Sequence, residues 1–501
     1  MKIAIPDSRV DAISADVTAF AAAPRMLIGG ESRDGEGTPF DVFNPADGRM
    51  LARVPTASEA DVDRAVRAAR AAMDGAWGAM PGAARSRLMH RLADLLEDNG
   101  EELAQLETLE NGKSIMLSRL IEVQSSAEYL RYMAGWATKI RGETLDVSIP
   151  IPPGTRYTAH TRKEPVGVVA AITPWNFPLN MCVWKVAPAL AAGCTVVLKP
   201  AEETPLTSIR FAELAREAGF PDGVVNVITG DGATGAALVR HPGVDKITFT
   251  GSTETGKIIG RQAMETVKPV TLELGGKAPM VFFDDMDLNL LGPAAGIGMM
   301  FNSGQTCCAG ARLFIQRGIH DEAVATLKAI VSSMPIGTGL NPAHQINPVA
   351  SARHQAHVRG MVDRGIADGA TPLLDLSLPT GDGYYVAPQL FTDARPDSAL
   401  MQDEVFGPVA TITPFDTEDE AMAMANDTRY GLGASLWTRD VNRVMRLTPR
   451  VQAGTVWINS HNIPDQNMPF GGFKQSGLGR EHGSGALDNY LETKSVCIAY
   501  S

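Results

Sequence analysis

The sequence predicts an α/β protein organised around a doubly wound parallel sheet. Short apolar segments alternate with helical segments through the middle of the chain, as expected for parallel strands joined by right-handed crossovers. The chain has 501 residues, of which 44% are hydrophobic and 20% are charged. Because a single hydrophobic core stops growing near roughly 250–300 residues, we expect at least two domains.

Two helices are predicted before the first buried strand, while the first 24 residues give no clear pattern. Ser58, with Asp61 three residues later, resembles a capping box and opens an alanine-rich helical segment. A second helix is predicted over Ala83–Asn99, with leucines along one face and Gly100 at its end. These helices lead into the part of the chain that is rich in strands.

Five short apolar strands are predicted at Val166–Ile172, Thr195–Leu198, Val224–Ile228, Lys246–Thr250 and Val270–Leu274. A helix capped by Thr204 and opened by Pro205 follows the second strand and stops at Gly219. Another helix follows the fourth strand and reaches about Val267, and Ser495–Ala499 predicts a terminal strand. In doubly wound sheets, ligands collect at the carboxyl ends of the strands.

Composition argues against several classes of protein. The formal net charge of −12 disfavours nucleic-acid binding, which rewards basic surfaces. The cysteines lack CxxC spacing and predict neither a disulfide framework nor a zinc site. His354 and His357 are flanked by arginines and predict a solvated helix face, so no metal site is expected. An acidic N-terminus and the lack of a long apolar run disfavour a signal peptide and a membrane span, and we expect a cytoplasmic protein.

The segment Gly251-Ser-Thr-Glu-Thr-Gly-Lys257 follows a predicted strand and opens a helix. It resembles the phosphate loop of nucleotide triphosphatases, but Ile258 stands where that loop needs a hydroxyl to hold magnesium. Amides at a helix N-terminus bind anions, so the segment favours a pyrophosphate that is held over a triphosphate that is cleaved. A helix cap by Ser252 in a tight turn explains the same residues without any ligand.

Four further segments together resemble the aldehyde dehydrogenase family, namely Thr173-Pro-Trp-Asn-Phe-Pro178, Leu272-Glu-Leu-Gly-Gly-Lys277, Gly304-Gln-Thr-Cys-Cys308 and Glu404-Val-Phe-Gly-Pro408. The likeness covers the chain from about Met26 to Ser501. It implies an α/β fold with a cofactor-binding domain, a catalytic domain, a small β oligomerisation element and an N-terminal extension. The cofactor-binding domain corresponds to residues 25–144 and 166–275, and the catalytic domain corresponds to residues 276–475. The oligomerisation element corresponds to residues 145–165 and 486–501, and the N-terminal extension to residues 1–24.

The resemblance assigns the catalytic roles to Cys307, Asn176 and Glu273. Cys307 would attack the aldehyde as a thiolate, and Asn176 would donate its amide to the resulting oxyanion. Glu273 would take a proton from the water that hydrolyses the thioester, and burial would raise its pKa as a base requires. The family pattern G-Q-x-C selects Cys307 over Cys308, which we interpret as a pocket neighbour.

Each catalytic assignment also has a purely structural interpretation. Cys307 could be inert apolar filling, because buried cysteines usually are. Glu273 could be a solvated carboxylate at the end of a strand. Asn176, between Trp175 and Phe177, could only close a turn.

The resemblance implies NAD as the cofactor, and the residues implied to bind it are Ile172, Thr173, Trp175, Lys199, Glu202, Gly232, Gly251, Ser252, Leu274, Glu404 and Phe406. Lys199 and Glu202 would contact the adenosine ribose, where a carboxylate accepts from a 2′-hydroxyl and repels a 2′-phosphate. NAD is therefore favoured over NADP. Ser252 would hold the pyrophosphate, and Glu404 the ribose of the nicotinamide.

The resemblance also implies an apolar substrate pocket, lined by Phe177, Met181, Trp184, Met300, Phe301, Cys308, Ile463 and Pro464. With no lysine or arginine among these residues, an uncharged aromatic or medium-chain aliphatic aldehyde is favoured over a charged semialdehyde. Family members assemble as dimers or tetramers. A CoA-acylating or semialdehyde dehydrogenase, an inactive relative and, last, a triphosphatase stay open as alternatives.

Overall fold

The computed structural model describes residues 9–500. Residues 1–8 and Ser501 lie outside the described residues, so the predicted N-terminal extension and oligomerisation element are each described in part. Residues 15–22 of the extension form a helix whose first turn is capped by Ser14, and the Ser14 N–H donates to Gln105 at 3.0 Å. This helix therefore packs onto the body of the protein.

The strands of the described chain are β1 (Met26–Ile28), β2 (Glu31–Arg33), β3 (Gly37–Phe43), β4 (Met50–Thr56), β5 (Thr144–Leu145), β6 (Arg156–Pro165), β7 (Val168–Ile172), β8 (Thr195–Lys199), β9 (Val225–Val227), β10 (Lys246–Thr250), β11 (Val270–Glu273), β12 (Ala278–Phe282), β13 (Gly310–Gln316), β14 (Thr371–Pro372), β15 (Gln389–Thr392), β16 (Val409–Phe415), β17 (Gly433–Trp437), β18 (Thr455–Ile458), β19 (Gly477–Leu478) and β20 (Leu491–Tyr500).

The α-helices of the described chain are α1 (Ala15–Ala22), α2 (Glu59–Asp74), α3 (Gly82–Asp98), α4 (Gly100–Asn111), α5 (Ile115–Leu117), α6 (Ser125–Ala134), α7 (Pro178–Ala192), α8 (Leu206–Ala218), α9 (Gly232–Arg240), α10 (Thr253–Met264), α11 (Leu291–Pro293), α12 (His320–Ser332), α13 (Ala352–Ala367), α14 (Ala399–Gln402), α15 (Glu418–Asn426) and α16 (Val441–Leu447).

The first large sheet contains all five strands predicted in the middle of the chain. Its strand order is β19-β11-β10-β7-β8-β9-β1-β2, and β7 to β11 run parallel. The order reverses between β7 and β10, which places a topological switch point in the centre of the sheet. The capping box at Ser58 and Asp61 is also present, so these predictions are confirmed.

The second large sheet has the order β14-β15-β16-β13-β12-β17-β18, and all of its strands except β14 run parallel. The chain enters β12 directly after Lys277 and enters β13 directly after Cys307, Cys308 and Ala309. Side chains that precede these strands therefore lie at the amino end of the second sheet. Buried apolar residues cover both of its faces.

A third, smaller sheet has the order β20-β6-β5. β20 pairs with β6 along its whole length, in antiparallel register from Leu491 opposite Pro165 to Tyr500 opposite Arg156. The predicted terminal strand is therefore confirmed and is longer than expected. Most side chains of β20 are exposed, which leaves this sheet with a solvent-facing surface.

Three details of the predicted helices are wrong. Gly100 does not end α3: Asn99 does, with its side-chain amide donating to the Leu95 carbonyl oxygen at 2.8 Å, and Gly100 begins α4. The helix after β10 ends at Met264. Thr204 does not cap α8, because the amides at the start of that helix donate to the buried Glu110 carboxylate instead.

Candidate active site

One cavity of about 610 Å³ lies where the carboxyl ends of the first large sheet meet the amino end of the second. Its walls include most of the residues that the sequence singled out, namely Trp175, Asn176, Phe177, Met181, Trp184, Gly251, Ser252, Glu273, Leu274, Phe301, Cys307, Cys308, Glu404, Phe406 and Pro464. β7, β10 and β11 end at this cavity on the switch-point side. The structure therefore brings the motifs of four separate segments together.

Other predicted residues lie elsewhere. Ile172 and Thr173 are buried at the end of β7. Lys199 lies 3.8 Å from Glu202 as an ion pair at the end of β8, and Glu202 lines a neighbouring cavity of about 710 Å³. Gly232 begins α9 directly after Asp231, which lines the same second cavity.

Met300 and Ile463 were predicted to line the substrate pocket, but they are not among the residues of the cavity wall. Met300 is buried in one cluster with Met280 and Leu313. Ile463 is exposed and does not lie on the cavity wall, and its backbone oxygen accepts a hydrogen bond from Trp457 Nε1 at 2.9 Å. Bulk and apolarity alone do not tell in which direction a side chain points.

Cys307 lies in a tight turn directly before β13, in which the Ala309 N–H donates to the Thr306 carbonyl oxygen at 2.9 Å. Cys307 is half-buried on the cavity wall, whereas Cys308 is buried and its thiol donates to Asn462 Oδ1 at 3.0 Å. A hydrogen bond with the Cys308 side chain, together with burial, raises the pKa of Cys307. Its thiol therefore needs a base before it can react as a thiolate.

Two glycines make the close packing around this turn possible. A Cβ atom on Gly276 would lie 2.1 Å from the Cys307 carbonyl oxygen, and one on Gly275 would lie 2.4 Å from Glu404 Oε2. Real Cβ atoms do not approach oxygen so closely, so the backbone can pass here only without a side chain. The Gly275-Gly276 pair thus lets Cys307 and Glu404 face the same space.

Hydrogen bonds fix both the side chain and the backbone of Asn176. Its side-chain nitrogen donates to the Gln305 carbonyl oxygen at 3.0 Å, and its own carbonyl oxygen accepts from Asn302 Nδ2 at 2.9 Å. An amide nitrogen has two donors, and the Gln305 contact uses one. The second N–H can therefore serve a ligand in the cavity that Asn176 lines.

A buried lysine that no sequence motif marks supports the Asn176 segment. Lys113 Nζ donates to the Asn176 carbonyl oxygen at 2.8 Å, lies 3.2 Å from Glu107 and also pairs with Glu122. The same ammonium group lies 4.5 Å from the centroid of the Phe177 ring. These side chains are fully buried, so this ion cluster lies directly behind two residues of the cavity wall.

Glu273 is buried at the end of β11, and neither of its oxygens has a hydrogen-bond partner among the described residues. Burial, reinforced by the neighbouring Glu481, raises the pKa of Glu273 well above its ordinary value. Glu481 in turn accepts a hydrogen bond from Lys185 Nζ at 2.6 Å. The carboxylate beside Cys307 on the cavity wall is therefore a base of raised strength.

Glu404 lies on the same cavity wall. Its Oε1 accepts the Gly276 N–H at 2.9 Å, and burial raises the pKa of Glu404 to about 7. The amide contact fixes one oxygen of the carboxylate, and the other faces Gly275. An acceptor held in this way suits a ligand that carries hydroxyl groups.

The prediction that His354 lies on a solvated helix face is wrong. His354 Nε2 donates to the Phe406 carbonyl oxygen at 2.7 Å, and its ring centroid lies 4.8 Å from that of Trp175. Burial lowers the pKa of His354 to about 4, so the ring is neutral near pH 7. Phe406 has a positive φ of 58°. Its ring contacts the rings of Trp175 and His354, and the three rings form an aromatic group on the cavity wall.

The first turn of α10 forms another part of the wall. Ser252 caps this helix by accepting the Thr255 N–H at 3.2 Å, and Gly251 to Glu254 line the cavity. Ser252 therefore does cap the helix, as its structural interpretation requires, and it lies on the cavity wall as well. A helix N-terminus that faces a cavity offers unpaired amides to an anion, so these residues fit a dinucleotide pyrophosphate.

Among residues 9–500, no helix has the length and apolarity to cross a membrane. No group of three or more histidine, cysteine or carboxylate side chains in the same range is arranged to hold a metal ion.

Comparison with known proteins identifies the family. A family model described as the aldehyde dehydrogenase family matches residues 32–496. The chain belongs to the aldehyde dehydrogenase family. It is 50% identical over 481 residues to phenylacetaldehyde dehydrogenase from Pseudomonas fluorescens, and the alignment covers 95% of this chain and 96% of that protein.

Solved structures of aldehyde dehydrogenases confirm the fold class. The NAD⁺ complex of the aldehyde dehydrogenase from Bacillus cereus matches with a TM-score of 0.94 and 44% identity, covering 99% of this chain and 100% of that chain. An NADP-dependent enzyme from E. coli matches with a TM-score of 0.92 and 37% identity, covering 96% and 99%. Since both cofactors occur within this architecture, the fold of an aldehyde dehydrogenase does not choose between them.

Proposed function

We propose that the chain oxidises an uncharged aromatic or medium-chain aliphatic aldehyde to the carboxylic acid, with NAD as the electron acceptor. The observation that carries this proposal is the meeting of Cys307, Asn176 and Glu273 on one cavity wall, opposite the end of α10 that can hold a pyrophosphate. NAD would supply an acceptor for the two electrons of the aldehyde C–H bond. The residues of the chain bind and orient the reactants and move the protons.

In the first half of the reaction, Cys307 adds to the aldehyde carbon and forms a thiohemiacetal. Because its pKa is raised, the thiol must first give up its proton, and Glu273 is the carboxylate on the same wall that can take it. The free N–H of Asn176, with the backbone N–H of Cys307, would hold the oxyanion. NAD, when bound, would accept the hydrogen of the former aldehyde carbon together with its bonding electron pair, which would leave the acyl group on Cys307 as a thioester.

In the second half, water attacks the thioester carbon. Glu273 first releases to bulk water the proton that it took from Cys307, and it then takes a proton from the attacking water. It returns this second proton to the Cys307 sulfur as the acid leaves. Its raised pKa makes the Glu273 carboxylate a stronger base than an ordinary one. The Lys185–Glu481 ion pair lies beside Glu273 and places polar groups next to its carboxyl proton.

The preference for NAD over NADP rests on Glu202. Its carboxylate lies at the end of β8 beside Lys199, where a dinucleotide bound at the switch point would place its adenosine ribose. A negative charge at that position accepts from a 2′-hydroxyl and repels a 2′-phosphate. The NAD⁺ complex of the Bacillus cereus relative supports the same choice.

The substrate class rests on the side chains around Cys307. The Phe177 and Phe301 rings stack with centroids 6.1 Å apart, and Trp184 meets Phe470 edge-on at 5.5 Å. Of the arginines of the cavity wall, Arg364 lies on α13, and Arg429 lies in the loop between α15 and β17, where it pairs with Asp403 next to Glu404. A carboxylate next to the aromatic rings would be desolvated without a partner, at considerable cost. The phenylacetaldehyde dehydrogenase relative supports an aromatic substrate.

The test is a panel of aldehydes assayed by NADH absorbance with the wild-type chain and with Cys307→Ala. We expect phenylacetaldehyde and hexanal to give a higher kcat/KM than succinic semialdehyde, and Cys307→Ala to abolish turnover. Mass spectrometry of the wild-type chain during turnover should show an acyl adduct on Cys307. A preference for succinic semialdehyde would reject the substrate class, and full activity of Cys307→Ala would reject the mechanism.

A CoA-acylating reaction is the second candidate, since it shares the thioester but transfers it to CoA. Glu273 disfavours it, because a base that activates water is not needed for transfer to a thiol. Turnover that depends on added CoA would establish this alternative.

We also infer a cytoplasmic homodimer or homotetramer that associates through the β20-β6-β5 sheet, whose β20 has no second partner strand among the described residues.

A further inference from the structure

The segment that follows β18 contacts both the substrate end of the cavity and the turn that carries Cys307. Asn462 and Pro464 line the cavity, while His461 is buried beneath it. Asn462 adopts a positive φ of 58°, and its amide nitrogen donates to the Ile297 carbonyl oxygen at 3.2 Å. The backbone thus reverses here in a conformation that places neighbouring side chains on opposite sides.

A chain of hydrogen bonds joins His461 to the core and to the nucleophile turn. Trp437 Nε1 lies 2.9 Å from Ser435 Oγ, which lies 2.9 Å from His461 Nδ1. His461 Nε2 lies 2.7 Å from the carbonyl oxygen of Cys308. Every atom in this chain is buried with its residue, and the chain ends on the residue next to Cys307.

The chemistry of the two ends fixes where each proton lies. An indole nitrogen can only donate and a carbonyl oxygen can only accept. Ser435 therefore accepts from Trp437 and donates to His461 Nδ1, and the Nε2 proton of His461 points to Cys308. Burial lowers the pKa of His461 to about 4, so this neutral tautomer persists at physiological pH. Each polar group in the chain is satisfied.

The same segment holds the Cys308 side chain, because the thiol donates to Asn462 Oδ1 at 3.0 Å. Cys308 is thereby anchored through its carbonyl oxygen by His461 and through its sulfur by Asn462. Cys307 precedes it in a turn closed by the Thr306–Ala309 hydrogen bond. The direction of the Cys307 side chain is then set by two anchors on the following residue.

We propose that His461 is a positioning residue for the nucleophile: through the Cys308 carbonyl oxygen it holds the turn in the orientation that aims Cys307 into the cavity. Asn462 and Pro464 of the same segment line the substrate end of the cavity. The shape of that end is therefore coupled to the orientation of the turn. This inference rests on the proposed function, in which Cys307 is the nucleophile. It also explains why Cys308 cannot replace Cys307, because its sulfur and its backbone are both engaged.

The test compares His461→Phe, which keeps an aromatic ring and removes both hydrogen bonds, with His461→Gln, whose amide can still donate to the Cys308 carbonyl oxygen. The first measurement is the rate of NADH formation in a single turnover of phenylacetaldehyde, with enzyme in excess. The second is the rate of alkylation of Cys307 by iodoacetamide, followed by mass spectrometry. We expect His461→Phe to slow NADH formation by about 10–100-fold, as misplaced reacting atoms do, and His461→Gln to recover most of it.

NAD affinity, measured by protein fluorescence, should stay within about twofold in both variants, because the hydrogen bonds that run from Trp437 to Cys308 do not reach the proposed cofactor residues. His241→Phe is the matched control, since it removes a histidine that bonds Gly243 and Asp63 outside the cavity. Wild-type rates in His461→Phe would overturn the inference. Equal losses in the Phe and Gln variants, in proportion to lost thermal stability, would overturn it as well.

Cys307→Ala is measured in parallel to separate this inference from the proposed function. If single-turnover NADH formation survives in Cys307→Ala, the proposed function fails whatever the His461 variants do. If it is lost in Cys307→Ala and unchanged in His461→Phe, the proposed function stands and the positioning role of His461 fails.

Discussion

At the scale of single residues, the buried carboxylate of Glu273 links catalysis to instability. Its pKa in the folded chain is raised, whereas in the unfolded chain it returns to an ordinary value. Between those two values the folded state binds more protons than the unfolded state, so stability falls as pH rises. Below the unfolded pKa both states are protonated and the effect disappears. The folded state therefore loses stability when Glu273 ionises, and the proposed reaction requires that ionised form.

This sign predicts that Glu273→Gln stabilises the protein while it stops turnover. We expect the variant to melt on the order of a few °C higher at pH 8, and the difference to vanish near pH 4. Thermal unfolding across this pH range checks the stability. The acid limb of the wild-type kcat profile should lie above the ordinary carboxyl pKa. A variant that melts lower at pH 8 would contradict the assignment.

Lys113 gives a second prediction at this scale. Lys113→Met leaves Glu107 and Glu122 buried without their cation, which typically costs about 3–5 kcal/mol of stability. The double variant Lys113→Met with Glu122→Gln should recover part of that loss but not the turnover, because the Asn176 carbonyl oxygen still lacks its ammonium donor. Thermal unfolding and kcat/KM measure the two effects separately.

The control for Lys113 is Lys268→Met. Lys268 is another buried lysine, and its ammonium group donates to the Val239 and His241 carbonyl oxygens outside the cavity. This variant should lose stability and keep kcat/KM. If the double variant at Lys113 instead turns over like the wild-type chain, the cluster only stabilises the fold and does not position Asn176.

At the scale of secondary-structure elements, the start of α8 depends on α4. The Glu110 carboxylate accepts the Leu206 N–H at 2.7 Å and the Thr207 N–H at 3.0 Å, although nearly one hundred residues separate them. Burial raises the pKa of Glu110 to about 7. One side chain thus fixes α8 to α4, the helix from which Asn111 Nδ2 donates to the Trp175 carbonyl oxygen at 2.7 Å.

We therefore expect Glu110→Leu to destabilise the chain by about 1–3 kcal/mol, since buried amides lose their acceptor. Thr204→Ala, at the position where the local sequence predicts a cap, should cost less, about 1 kcal/mol, because the buried hydroxyl makes one long hydrogen bond, to the Trp175 carbonyl oxygen at 3.5 Å. Chemical denaturation of both variants measures the difference. A larger loss at Thr204 than at Glu110 would show that the local cap matters more than the distant carboxylate.

At the scale of the whole molecule, the β20-β6-β5 sheet is the element that the monomer leaves uncovered. Ile498 on β20 is 47% exposed, next to a strand edge with no second partner in the described chain. Ile498→Glu should therefore shift the assembly to smaller species in light scattering. Val441→Glu, at an apolar residue of α16 that is 66% exposed, is the control and should leave the assembly unchanged. The same assembly in both variants would reject this surface.

The sequence alone determined the fold class, the strands of the first sheet and the motifs that meet at the cavity. These features are local: apolar runs set the strands, and Glu273, Asn176 and Cys307 each stand inside a short, ordered motif. Asn176 and Glu273 meet because parallel strands deliver their carboxyl ends to the same edge, whereas Cys307 comes from the amino end of the second sheet. The likeness of whole motifs to a family supplied the rest.

Only the tertiary structure decided which side chains support that site. Lys113 and His461 support the cavity wall from behind, in the segments after α4 and β18, and His354 of α13 lines it; no sequence period marks these residues. Met300 shows the converse, since its apolar character fits a pocket and a core equally well. Burial and hydrogen-bond partners depend on the residues that fold against a side chain, and these lie far away along the chain.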